Sequence, residues 1–207
     1  MACDFPLKLV YKSHSAQAYT IRKRIFMSEK FLLAIDQGTT GSTALIVDTK
    51  GTVRAKKSQE FPQHFPQPSW VEHDLNEIWS SVVATIDQVI KAAEISSNQI
   101  AGIGITNQRE TTCLWDRKTL EPAHRAIVWQ CKRSANICSD FRSEENIKLI
   151  RDKTGLVIDP YFSATKLKWL FNESSQLLEK ARGGSLAFGT IDSFLVAMLT
   201  GGESHVT

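Results

Sequence analysis

Apolar and polar residues alternate, or apolar residues run together, in three short stretches early in the chain. The stretches are residues 31–36, 42–48 and 52–61. Residues 48–51, with the sequence DTKG, supply a turn between the second and the third. Because such short connections join antiparallel neighbours, the pattern predicts a three-stranded meander.

A proline-rich stretch and a long helix are predicted after the meander. Prolines at positions 62, 66 and 68 exclude both helix and sheet interior, so residues 62–74 are expected to be an extended loop. Asp74 and Glu77 then have the spacing of a capping box. Apolar residues recur at helical intervals from Leu75 to Ala93, which predicts one long amphipathic helix.

The rest of the chain alternates between strand-like and helix-like patterns. Four further strands are predicted, the first of them buried, at residues 99–106, 111–116, 124–130 and 185–191. Three helices are also predicted: one near residues 133–153 with a stop at Gly155, one that follows a turn within residues 159–173 with Leu167, Leu170 and Phe171 inward, and one at residues 192–202 capped by Asp192. The order of elements indicates an α/β fold.

Composition and charge exclude several classes of partner. The 207 residues are 42% apolar and 23% charged, which is typical of a soluble globular protein, and a net charge of +3 gives no reason to expect a nucleic-acid or membrane surface. No apolar run approaches the roughly 20 residues of a membrane-spanning helix. The four cysteines match neither a zinc site nor a C-x-x-C pair. Free thiols and a cytoplasmic location are therefore expected.

Residues 1–30 differ from the rest and are expected to be a basic, unstructured extension. The first 26 residues carry five lysines and arginines against one acid, Asp4, which is loosely the balance of an organelle transit peptide. Met27 offers another interpretation, because MSEKFLLAID resembles a natural protein start. We favour this second interpretation and expect the folded domain to occupy residues 31–207.

The connection between the first two strands carries chemistry. Asp36 is followed by Gly38-Thr39-Thr40-Gly41, so backbone N–H groups and threonine hydroxyls can surround phosphate oxygens while the carboxylate holds a hard cation. This is no P-loop, because no lysine follows the glycines and a strand replaces the helix. Hairpins rich in glycine are also common turns that bind nothing.

Five segments, taken in order, resemble the signatures of the FGGY carbohydrate kinases. They are AIDQGTTGS, PSWVEHD, GITNQRETT, IVWQCKR and KTGLVIDPYFS. The resemblance implies a ribonuclease H-like, actin-like ATPase fold with two α/β domains and the active site between them. This chain would supply most of the first domain, incomplete, with the second domain missing.

The resemblance also implies an activity and a role for individual residues. The complete protein would transfer the γ-phosphoryl group of ATP to glycerol, giving glycerol 3-phosphate. Asp36 would organise Mg²⁺, and Thr39, Thr40 and Gly41 would contact nucleotide phosphates. The glycerol hydroxyls would meet Arg109, Glu110 and Tyr161, with Trp129 packed against the carbon chain. Arginine only donates and a carboxylate only accepts, so this pair suits a hydroxyl, which does both.

Other interpretations of these residues stay open. Trp129 could belong to the core and Tyr161 could pack a turn. The family usually has an arginine at position 43, where this chain has Thr43, so phosphate binding would be weaker. The catalytic base would lie beyond Thr207, so the chain alone is expected to be inactive. Two alternatives stay open, which are a fragment of another FGGY sugar kinase and a non-catalytic interaction domain. The partner of the chain would be a second copy, in a homo-oligomer, or a separate C-terminal domain.

Overall fold

The computed structural model describes residues 29–206. Nearly all of the basic extension predicted at residues 1–30 therefore lies outside the described residues. Two four-stranded sheets and six α-helices make up the described part of the chain, as the predicted α/β class requires. No helix in that part combines the length and the apolar character needed to cross a membrane.

The first sheet contains the predicted meander. Strands β1 (Phe31–Gln37), β2 (Gly41–Asp48) and β3 (Val53–Glu60) pair antiparallel. Strand β5 (Ile100–Asn107) lies parallel to β1 on its other side, which gives the order β3-β2-β1-β5. The carboxyl ends of β1 and β5 therefore meet at one edge of the sheet, where ligands bind in many α/β proteins.

Helix α1 (Leu75–Ala92) lies between the meander and β5 in the chain. Its apolar stripe packs against β2 and β3, with Leu75, Ile78 and Val82 fully buried. Asp74 caps the helix by accepting a hydrogen bond from the backbone N–H of Asn76 at 2.9 Å. The predicted partner of this cap does not reach back, because Glu77 lies 2.8 Å from Nε2 of His64 instead.

The second sheet has the order β4-β7-β6-β8. Its strands are β4 (Glu72–His73), β6 (Thr112–Asp116), β7 (Pro122–Ile127) and β8 (Leu186–Gly189). Strand β4 lies in the stretch predicted to be an extended loop, so that prediction was wrong at its end. The proline-free residues 72–73 keep their backbone donors, and β7 offers them an antiparallel partner.

The helices of the second half differ from prediction in three places. The single helix predicted near residues 133–153 is two helices, α2 (Ala135–Phe141) and α3 (Glu144–Thr154), because Ser143 caps a new helix with its side chain. Gly155 ends α3 with a left-handed φ of 73°, as predicted. After α4 (Ser163–Glu173), Ser174 starts an unpredicted helix, α5 (Ser175–Arg182). Thr190, not Asp192, is the N-cap of α6 (Ile191–Leu199).

Two apolar clusters hold these layers together. The larger lies between the first sheet, α1, α6 and the inner residues of the second sheet. The smaller lies under α4 and α5 and includes Leu170, with Leu167 and Phe171 packed at its border, as predicted. Strand β5 was predicted to be buried and is not, since it is the edge of its sheet and Ile103 is 50% exposed.

Candidate active site

The turn between β1 and β2 is tightly closed. The N–H of Gly38 donates to the carbonyl of Gly41 at 2.9 Å. A Cβ at position 41 would lie 2.8 Å from the backbone oxygen of Gln59 on β3, so only glycine lets the two strands approach this closely. Thr39 is half-buried in this turn and Thr40 is exposed. The hydroxyl of Thr40 therefore lies where a ligand can reach it.

Asp36 lies one residue before the end of β1, with an exposed side chain. Its register partners are Thr43 on β2 and Thr106 on β5. Thr43, which stands where an arginine was expected, has its hydroxyl 2.9 Å from that of Ser58 on β3. The described residues contain no cluster of three or more potential metal ligands, so a cation at Asp36 would have at most two such ligands from these residues.

A small polar hollow of about 300 Å³ opens beside the same sheet edge. It is lined by Asn107, Gln108, Arg109, Trp129 and Tyr161. Strand β7 ends at Ile127, so Trp129 lies in the following loop and not in a strand of the core. Its ring meets that of Tyr161 edge-on, with 5.9 Å between ring centres. Three of the four residues predicted to bind a polyol therefore share one hollow.

Glu110, the fourth, is next to this hollow but is not part of its lining. Its backbone has a φ of 65°, which a residue with a side chain adopts only when its surroundings hold it there. The hydroxyls of Ser163 and Thr112 donate to its carbonyl oxygen at 3.3 and 3.4 Å. Strained backbone of this kind is concentrated at functional sites.

One polar atom in the lining has no partner. The Oδ1 of Asn107 is buried and accepts no hydrogen bond from any described residue. A buried acceptor without a donor costs about 1–3 kcal/mol, so a donor brought to this atom would stabilise the site. Arg109 beside it offers donors, and the two side chains together can satisfy both halves of a hydroxyl group.

A buried hydrogen-bond network connects the β1–β2 turn to this hollow. The indole Nε1 of Trp129 donates to the hydroxyl of Thr39 at 3.1 Å. The side chain of Gln63 donates to the carbonyl of Thr39 at 2.8 Å and meets Nε2 of His73 at 2.6 Å. On its other side His73 meets the amide nitrogen of Gln108 at 3.2 Å. The turn and the hollow therefore share one rigid support.

Gln108 is the centre of this network. Its Nε2 donates to the side chain of Gln37 at 3.1 Å, and its Oε1 accepts from the hydroxyl of Thr111 at 2.9 Å. That hydroxyl lies 3.3 Å from the backbone nitrogen of Trp129. Gln108 thus fixes both the end of β1 and the loop between β7 and α2 that carries Trp129, residues 128–134, which we call the tryptophan loop.

The surroundings of His73 determine its protonation. Gln63 donates its amide to Thr39, so it turns its oxygen towards Nε2, which must carry the hydrogen. Nδ1 accepts from Gln108, so the neutral ring is fully satisfied. Burial, assisted by the nearby His64, lowers the pKa of His73 to about 4. The ring is a neutral connector at physiological pH.

A second anchoring contact involves Glu72, the residue before His73 on β4. The side chain of Arg133 is fully buried, and its Nη2 lies 2.7 Å from Oε1 of Glu72. The guanidinium also stacks over the rings of Trp70, at 4.0 Å, and Trp169, at 4.8 Å. These contacts join the tryptophan loop to β4 and α4. Glu72 and His73 therefore support the site from outside it.

Sequence reasoning overlooked the supporting residues. No role was predicted from the sequence for Asn107, Gln108 or Gln63, although Asn107 ends a strand and Gln108 follows it directly. The available signal was their position, since polar residues at the carboxyl end of a parallel strand often point into a site. No pattern in one sequence reveals that Gln63 and Gln108 meet the same histidine.

The comparisons with known proteins agree on one family. The model of the N-terminal domain of the FGGY family of carbohydrate kinases matches residues 31–207. The chain belongs to this family. The resemblance stated from the five sequence segments is thereby confirmed, together with the ribonuclease H-like fold.

Several curated FGGY relatives carry the same name. The glycerol kinase of Oceanobacillus iheyensis is 54% identical over 181 residues, which is 87% of this chain and 36% of that protein. The glycerol kinase of Deinococcus radiodurans is 53% identical over 182 residues, again 87% and 36%. The chain thus spans about a third of the length of the relatives it matches.

Solved structures of the family give the same picture of the fold. A Plasmodium falciparum glycerol kinase with ADP aligns with a TM-score of 0.77 and 31% identity, over 84% of this chain and 35% of that one. A gluconate kinase from Lactobacillus acidophilus aligns with a TM-score of 0.73 and 22% identity, over 82% and 33%. At that lower identity the likeness shows the fold alone.

Proposed function

We propose that this chain is the N-terminal part of an ATP-dependent glycerol kinase, which forms glycerol 3-phosphate. One observation carries the proposal: the indole of Trp129, which lines the polar hollow, bonds directly to Thr39 of the β1–β2 turn at 3.1 Å. A phosphate-binding turn and an acceptor pocket must be neighbours for phosphoryl transfer, which depends on positioning. The curated relatives named glycerol kinase support the choice of substrate.

Glycerol fits the chemistry of the hollow. Arg109 supplies donors, and Asn107 supplies an acceptor that has no partner among the described residues. The flat faces of Trp129 and Tyr161 suit a short carbon chain. Glu110 follows Arg109 in the chain and is the carboxylate acceptor that the family motif implies. The chain's own task is to bind and orient the acceptor hydroxyl.

The β1–β2 turn suits the nucleotide and its metal. The exposed Thr40 hydroxyl and the backbone around Gly41 can meet phosphate oxygens, and Asp36 extends from the same edge. Mg²⁺ is commonly held by one or two carboxylates together with phosphates and waters, so a single carboxylate fits. The ion would neutralise charge on the transferred group. Thr39, held by Trp129 and Gln63, keeps the turn in place.

We further propose that the chain acts in the cytoplasm and is inactive without the remainder of the protein. The three described cysteines are buried free thiols, as a reducing compartment favours. A proton acceptor for the attacking hydroxyl is not among the residues that line the hollow. The lining of the hollow therefore supplies no group for the proton transfer, and this supports the proposed inactivity.

A chimeric enzyme tests the proposal directly. Residues 29–206 would replace the matching segment of the Oceanobacillus iheyensis glycerol kinase, and phosphorylation of glycerol, xylulose and gluconate would be compared. We expect glycerol to be preferred, and a preference for either sugar substrate would overturn the assignment. The 207-residue chain alone should show no turnover, with the chimera as the positive control.

Two substitutions in the chimera assign roles within the site. Arg109→Ala should raise KM for glycerol by roughly 5- to 150-fold, because a buried hydroxyl partner contributes about 1–3 kcal/mol. Arg151→Ala, on the exposed face of α3, is the matched control and should change nothing. Asp36→Asn should lower kcat by roughly tenfold or more and leave KM for glycerol nearly unchanged. An unaltered KM in Arg109→Ala would remove that residue from the site.

A further inference from the structure

A lysine is buried directly behind the hollow. Lys166 lies in the first turns of α4 and its side chain has no exposed surface, which is rare for this residue type. Its ammonium donates to the backbone carbonyl of Tyr161, one of the lining residues. A buried charge with a specific partner needs an explanation, and the glycerol kinase chemistry described above gives it no task.

The same helix also contacts Glu110, the residue next to the hollow. Ser163, one turn before Lys166, donates its hydroxyl to the carbonyl of Glu110 at 3.3 Å. The start of α4 thus contacts the backbone of both Tyr161 and Glu110, on two loops far apart in sequence. Any shift of this end of the helix would move the two residues together.

Four titratable groups on neighbouring parts of the fold act on the charge of Lys166. They are Glu110 from the β5–β6 loop, Asp159 from the loop before α4, Cys131 from the loop after β7, and Cys138 from α2. Burial lowers the pKa of Lys166 to about 8, and these four groups oppose that shift. The ammonium is therefore charged at neutral pH and loses its proton in mildly alkaline solution.

We propose that Lys166 is a positioning residue, whose ammonium holds the Tyr161 loop against Trp129 and so sets the shape of the hollow. The inference rests on the proposed function only in naming the hollow a glycerol site. The amine left after proton loss is a weaker donor, and it no longer attracts Glu110 and Asp159. The loop should then relax away from the Trp129 ring.

Fluorine NMR of the 207-residue chain labelled with 5-fluorotryptophan tests this positioning without any activity assay. The chain has five tryptophans, and the resonance missing from a Trp129→Phe sample identifies Trp129. Because the Tyr161 ring lies edge-on to Trp129, movement of the loop changes that chemical shift. We expect the Trp129 resonance to titrate with a midpoint near pH 8.

Two lysine variants decide the interpretation. Lys166→Met should abolish the titration, and Lys168→Met, exposed on the same helix, should keep it. A titration that persists in Lys166→Met, or a wild-type resonance unchanged between pH 6 and 10, would overturn the proposal. The wild-type titration needs no substitution, so it remains decisive if Lys166→Met does not fold.

The chimeric enzyme adds a functional readout. Lys166→Met should raise KM for glycerol at least fivefold with kcat changed less than twofold, because the residue shapes the pocket and touches no reacting atom. A wild-type chimera that does not phosphorylate glycerol would contradict the proposed function and would leave the titration result intact. A normal KM in Lys166→Met would defeat the positioning role alone.

Discussion

Protonation of His73 should destabilise this chain as the pH falls from 7 to 5. The folded protein holds its imidazole neutral, with a pKa of about 4 against 6.5 for the free side chain. Between these values the unfolded chain binds a proton that the folded chain does not, so stability falls as the pH falls. At pH 5 the unfolded side chain is largely charged and the folded one is not.

The size of the effect follows from the two pKa values. Proton linkage gives a loss of about 2 kcal/mol in the free energy of unfolding between pH 7 and pH 5. The loss would grow to about 3 kcal/mol below pH 4, where the difference of 2.5 pKa units is fully expressed. Protonation would place a hydrogen on Nδ1 against the donating amide of Gln108. The contact between His73 and Gln108 would then be lost.

Urea unfolding of the chain at pH 7, 6 and 5, followed by circular dichroism, measures the effect. His73→Gln should be less stable at pH 7 by about 1–2 kcal/mol, because the amide of Gln108 loses its acceptor. The two stability curves should then converge as the pH falls. His124→Gln, at a half-buried histidine on β7, is the control and should run parallel to the wild type. Parallel curves for His73→Gln would refute the reasoning.

Three further substitutions test the support of the site by urea unfolding. Gly41→Ala should lower the free energy of unfolding by about 1–3 kcal/mol, because its Cβ would meet the Gln59 carbonyl. Gly104→Ala, with open space around it, should lower it by less than about 1 kcal/mol. Equal losses would contradict the packing argument. Glu72→Gln should cost about 3 kcal/mol by leaving the Arg133 charge buried without its partner, and a neutral result would mean that the pair is dispensable. Lys166→Met should stabilise the chain by about 1–2 kcal/mol at pH 7, since burial disfavours the charged lysine. This gain in stability should shrink as the pH rises from 8 to 10.5. A variant that is less stable than the wild type at pH 7 would contradict this.

The sequence predicted most elements because their signals are local. The alternation in β1 to β3 and the helical stripe of α1 each need only neighbouring residues to be recognised. Glycine at position 155 ended α3 as expected, since a left-handed residue is a local requirement. The family motifs then predicted which residues form the candidate site.

Two of the errors have a cause that is not local, which is competition between partners distant in sequence. Glu77 was expected to complete a capping box, and it bonds to His64 because the loop returns past the helix start. Residues 72–73 became a strand only because β7 lies beside them. Local patterns give no information about such neighbours.

The candidate site was predictable in part for the same reason. Arg109, Trp129 and Tyr161 came from motifs, and the structure brings them into one hollow. Asn107 and Lys166 were missed, because their importance depends on an unpaired oxygen and a buried ammonium. Burial of a polar atom is a property of the packed fold, and one sequence contains no direct record of it.

The outer side of β5 has a consequence for anyone who expresses this chain by itself. Within the described residues β5 pairs only with β1, so its backbone donors and acceptors on the far side face solvent. Gly102 and Gly104 provide no side chains to shield them, and Ile103 between them is half exposed. Another polypeptide, including another copy of this chain, can add a strand to an exposed edge of this kind. The charged residues or prolines that usually prevent such pairing are absent from residues 100–107.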